Sequence, residues 1–126
     1  MRKEEDSKFV VEFYETLNGR QPAKDFIVSL DKKVRAKTLS MVSILQDNGY
    51  ELREPYSKHI ADGIFELRIK LGSDAGRILY FFYVDKHIIL TNGFVKRTKK
   101  TPAREIARAK AYRNDYLKRK ADRNEC

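Results

Sequence analysis

The residues of this chain best suited to chemistry are cations in three short stretches. Arg68 and Lys70 alternate with Leu67, Ile69 and Leu71 on an expected strand, so they share one face with Glu66 while the apolar residues take the other. Arg77 immediately precedes the apolar run Ile78 to Val84. A cation there is costly to desolvate unless it is paired or used at a site. Lys96, Arg97, Lys99 and Lys100 lie within five positions at the end of a third apolar segment. Cations converging from such segments across one sheet surface would suit a phosphate of RNA. The same alternation also describes a charged sheet face that is simply solvated. His59, flanked by Lys58 and Tyr56, is a further acid or base with a near-neutral titration, or a surface histidine without a role.

Other chemistries lack their residues. The chain has one cysteine, Cys126, and two histidines, His59 and His87, at no metal-ligand spacing, so neither a structural zinc site nor any other metal or cofactor is expected. Ser40, Ser43, Ser57 and Ser73 have no nucleophile-elbow context, and no glycine-rich phosphate loop is present. Hydrolase triads and nucleotide kinases are thereby set aside.

The 126 residues fit one domain, 41% of them hydrophobic, with a net charge of +9. That charge is unevenly placed: residues 1–95 carry 15 basic and 14 acidic side chains, residues 96–126 carry 12 and 4. A basic tail of this kind grips phosphates or an acidic partner, or is a solvated helix face. No apolar run is long enough to span a membrane, and Met1-Arg2-Lys3-Glu4-Glu5-Asp6 lacks a signal peptide's apolar core, so a soluble, cytoplasmic protein is expected.

The elements that must position these cations are legible as periods. Residues 9–14 read as a β-strand, and Pro22 opens a short amphipathic helix through Ala23, Phe26, Ile27 and Leu30. Asp31 caps a second helix, carried by Val34, Thr38, Val42 and Leu45 and stopped at Asn48-Gly49. Residues 49–63 have no period and read as a connecting loop bearing Arg53, Lys58 and His59. Residues 64–71, 77–84 and 87–95 then form a three-strand antiparallel meander, turning at Gly72–Gly76 and at Asp85-Lys86, with the middle strand apolar on both faces. Thr101 and Pro102 open a last helix to about residue 120, whose thin stripe of Ala103, Ile106, Ala109, Tyr112 and Tyr116 suggests light packing. The fold class is α+β, one small domain over residues 1–126.

This order, with Phe65-Glu66-Leu67-Arg68, then Gly76-Arg77-Ile78-Leu79-Tyr80, then Gly93-Phe94-Val95-Lys96-Arg97-Thr98-Lys99-Lys100-Thr101-Pro102, resembles the RelE/ParE toxin superfamily, and most of all its HigB-type, phage-derived branch. The similarity runs from about residue 9 to residue 117. It implies a RelE-like fold and a toxin of a type II toxin–antitoxin pair: a metal-independent, ribosome-dependent mRNA endonuclease, leaving 2′,3′-cyclic phosphate and 5′-hydroxyl ends. It also implies partners, namely mRNA, the ribosome with its 16S RNA, and a helix–turn–helix (HigA-like) antitoxin in a hetero-oligomer. By the same resemblance Arg77 holds the scissile phosphate, Arg68 supports it, Lys70 is the base, and Lys96 or Arg97 fills the basic position ending the last strand. Lys58, Arg97, Lys99, Lys100, Arg104 and Arg108 are assigned to RNA and ribosome contact. The general acid is open between Tyr112, Tyr116 and His59, and Glu66 either pairs with Arg68 or Arg77 or takes part in catalysis. Two further readings stay open: a ParE-like gyrase inhibitor without nuclease activity, since fold alone does not separate the two, and a regulatory module that binds RNA without cutting it.

Overall fold

The computed structural model describes residues 9–124; Met1–Asp6 and Cys126, named above, lie outside them. Its elements run β1 (Val10–Phe13), α1 (Pro22–Val28), α2 (Lys32–Asn48), β2 (Ser57–Ala61), β3 (Ile64–Leu71), β4 (Asp74–Tyr83), β5 (His87–Lys96) and α3 (Ala103–Asn124). The five strands form one sheet in the order β1-β5-β4-β3-β2, with β1 parallel to β5 and the other pairs antiparallel. As expected from its two apolar faces, β4 is the middle strand. The α+β class and the two-helix hairpin are as expected too.

The sheet is packed on both sides. On one face, Leu67, Ile69, Ile78, Tyr80, Ile88 and Leu90 meet Ala23 and Ile27 of α1 and Val42 and Leu45 of α2. Each fully buried Leu or Ile contributes about 1.5–3 kcal/mol. On the other face, Ile64, Leu79, Phe81 and Ile89 meet Ala109 and Tyr116 of α3 and Tyr14 after β1.

Four expectations need correction. Residues 49–63 are not a plain loop: a single 3-10 turn (Gly49–Glu51) precedes the edge strand β2, which makes the meander four-stranded. Ser-Lys-His-Ile-Ala has little intrinsic strand preference, and pairing with β3 overrides it. The signal that could have found β2 is Asp62-Gly63, whose φ angles of 50° and 83° make the two-residue hairpin turn. Second, β4 begins at Asp74 rather than Arg77, because Leu71 already pairs with Asp74 around Gly72. Third, α3 does not pack lightly. Its small stripe lets the helix approach the sheet closely, and polar side chains finish the contact: Tyr14 donates a hydrogen bond to Asp115, Tyr116 donates to Glu12, and Lys110 pairs with Asp62. Fourth, Asp31 and Thr101 do not cap through their side chains. Asp31 has the extended N-cap backbone but makes no side-chain cap bond, and the Thr101 hydroxyl donates to Glu66 instead.

Gly49 ends α2 with φ 53° and ψ −120°, and a Cβ there would sit 2.0 Å from the buried Phe9 ring. Gly49→Ala is therefore expected to cost at least 1–3 kcal/mol, the usual range for backbone strain alone, read as a lowered urea midpoint.

Candidate functional site

Strand pairing answers which cations share a face. Arg68 stands directly opposite Arg77, Lys70 opposite Ala75 and Ala75 opposite Lys96, while Lys58 stands opposite Glu66. One face therefore carries Lys58 from β2, Glu66, Arg68 and Lys70 from β3, Arg77 from β4 and Lys96 from β5. This is the α3 face, so it is not an open, solvated one: α3 covers one end, and the cations occupy the other.

Lys96 reaches this face because of one irregularity. Ile88 and Leu90 point toward α1 and α2, and strict alternation would send Lys96 with them. Between Leu79 and Tyr80 the register of β4 and β5 shifts, leaving Thr91 as an extra residue. From there the phase is reversed. Asn92, which donates to Glu105 of α3, Phe94 and Lys96 point to the α3 face, and Gly93 points to α1, where a Cβ would lie 2.4 Å from the Phe26 ring. Bulges of this type re-aim side chains near functional sites. Lys96, the last residue of β5, is thereby on this face, and Arg97 follows the strand, exposed.

Glu66 is the centre of the cluster. Only 2% exposed, it lies 3.2 Å from Arg68 Nε and 3.4 Å from Arg77 Nε and accepts the Thr101 hydroxyl at 2.6 Å. Two guanidinium groups directly opposite each other repel, and the carboxylate between them offsets this. Glu66 thus pairs with both arginines rather than with one. Arg77 is the more buried of the two, its Nη1 donating to the Gly76 carbonyl at 2.8 Å; its Nε has ion-pair distance to Glu66 but no aligned acceptor. Burial, followed by the Arg68 charge, pulls the Arg77 pKa down against the pull of Glu66. Burial also lowers the Lys96 pKa, and Arg77, Arg68 and Lys58 add to the effect, opposed by Glu66.

These groups open into a cavity of about 290 Å³ whose wall includes Lys58, Glu66, Arg68, Lys96, Lys99 and Lys100. Lys70 and Arg77 line a second cavity on the other side of Arg68. Arg108 pairs with Glu105 one turn away, and Arg104 is exposed near the same carboxylate. His59 also contributes to the wall of the first cavity; it packs edge-on against Phe65, its partner in register, and its Nε2 accepts the Gly63 N–H. Tyr112 stacks on Tyr14, and Tyr116 binds Glu12; neither lines the cationic cavity. Thr101 was missed as a site residue because Thr before Pro reads as a helix cap. Among the described residues no three His, Cys, Asp or Glu side chains gather as metal ligands, and no helix is long and apolar enough to cross a membrane.

A compact α+β protein with a carboxylate-centred cation cluster on one sheet face is the class that fold and site define. Over residues 25–114 the chain matches the family model described as phage-derived protein Gp49-like (DUF891), and it belongs to that family, a RelE-like toxin family. No curated protein matches the sequence significantly.

Proposed function

We propose that the protein is a HigB-type toxin of a type II toxin–antitoxin pair and cleaves mRNA on the ribosome without a metal. The observation that supports this best is the fixed convergence of Arg68, Arg77 and Lys96 around Glu66. Cleavage through the RNA's own 2′-hydroxyl asks for cations on the phosphate oxygens and an acceptor for the 2′-hydroxyl proton. Arg77 and Arg68 supply the cations, held in place by Glu66. Lys96 shares the cavity wall with Arg68 and Glu66, and burial and the neighbouring cations lower its pKa, so we assign it the base. Its neutral amine takes the 2′-hydroxyl proton as the oxygen attacks phosphorus, the bond to the 5′-oxygen breaks, and that leaving oxygen takes a proton from solvent to end as the 5′-hydroxyl. Lys99 and Lys100 hold flanking phosphates, and a helix–turn–helix antitoxin neutralises the cationic face.

Primer extension on cellular mRNA after brief induction tests this, with translation blocked in a parallel culture. Cuts within translated frames that disappear with translation are expected. Growth arrest with intact mRNA would sink the nuclease reading and point to gyrase or another target.

The lysine assignment carries a pH signature. With its pKa lowered, Lys96 exposes more neutral amine as pH rises, so cleavage in a reconstituted translation system is expected to climb with unit logarithmic slope up to the lowered pKa and then level off. Lys96→Arg should be slow and lose that slope. An unchanged profile in the arginine variant would move the base elsewhere.

A further inference from the structure

Beyond Arg68, on the side away from the first cavity, a second one of about 460 Å³ wraps around the open edge of β3. The edge is open because β2 pairs with β3 only as far as Leu67, the last backbone bond running from the Arg68 N–H to the Tyr56 carbonyl. The wall is mainly apolar, built by Met41 of α2, Pro55, Tyr56, Ile69 and Ala75. Its rim is entirely cationic, with Lys37, Arg68, Lys70 and Arg77 and no acidic side chain. Tyr56 is 52% exposed, and the bond its carbonyl accepts from the Arg68 N–H fixes its backbone beside that of Arg68, both residues lining the cavity.

An occupant must therefore pair a flat apolar body with negative charge, and Arg68 faces both cavities. We propose that this edge cavity is a nucleobase subsite: the base next to a phosphate held by Arg68 and Arg77 turns over the edge of β3 and stacks on Tyr56. This rests on the RNA reading above and adds to it where a base, rather than the backbone, is gripped. Stacking on an aromatic ring is tolerant of base identity and contributes substantially to single-strand affinity. The cations alone would hold any polyanion.

The test is fluorescence anisotropy at low salt with two labelled probes of equal charge, hexaadenylate and an abasic ribose-phosphate hexamer, on the full chain. Wild type is expected to prefer hexaadenylate. Tyr56→Ala should weaken hexaadenylate by roughly 5- to 100-fold and leave the abasic probe unchanged, whereas Tyr56→Phe should bind within about twofold of wild type. Equal binding of both probes by wild type, or an unaffected Tyr56→Ala with unchanged thermal stability, overturns the subsite. So does competition by an acidic, apolar peptide that Tyr56→Ala abolishes while hexaadenylate binding persists. If mRNA is cut in cells but Tyr56 does not matter, the subsite fails and the nuclease stands; Tyr56-dependent binding with intact mRNA gives the reverse.

Discussion

Glu66→Ala is expected to lower the unfolding free energy by about 3–5 kcal/mol, the range for removing one partner of a buried ion pair. The cost arises from what stays behind. Arg68 and Arg77 remain face to face with no carboxylate between them, and Arg77, already short of one aligned acceptor, is left largely desolvated without its counter-charge. The Thr101 hydroxyl also loses its acceptor, which loosens the entry to α3. For a domain of this size the loss corresponds to a melting temperature lower by roughly 10–25 °C, read by thermal unfolding. Glu66→Ala combined with Arg77→Met should cost less than Glu66→Ala alone, since only the more exposed Arg68 guanidinium is then left without a carboxylate and no second cation stands opposite it. A loss below about 1 kcal/mol in the single variant would mean that the carboxylate does not hold the cluster together.

Arg77→Ala is expected to have the opposite profile: a small change in stability and a fall in translation-dependent mRNA cleavage of about 10²–10³-fold, the usual cost of removing one preorganised donor to developing charge. Stability changes little because Glu66 keeps Arg68 and Thr101, and the desolvation of one cation is relieved. Cleavage falls because Arg77 brings the less exposed of the two guanidinium groups to the face shared with Lys96, and lysine cannot replace its planar fork. Primer extension at matched expression, with the melting temperature as control, reads both effects. Full cleavage by a folded Arg77→Ala chain would leave the phosphate to Arg68 and the loop lysines. The pair of variants separates two roles at one cluster, with Glu66 holding it and Arg77 acting from it.

The sequence by itself determined the elements whose periods are local. Alternation from Phe65 to Leu71 made β3, the doubly apolar run after Arg77 made the central strand, and spacings of three and four made α1 and α2. It also determined that Glu66, Arg68 and Lys70 share a face, because side chains in a strand alternate whatever the strand pairs with. Only the tertiary structure decided the rest. Strand β2 exists through its pairing with β3, not through its own residues, and with it Lys58 joins the cationic face while His59 stands opposite Phe65. Glu66 became buried among Arg68, Arg77 and Thr101, on a face whose alternation alone fitted either a site or solvent. Lys96 shares a face with Arg77 because a single extra residue at Thr91 reverses the phase of β5. A period of two carries no memory of register, so one bulge moves every later side chain to the other face, and its position is set by how β4 and β5 pack between the two helical layers.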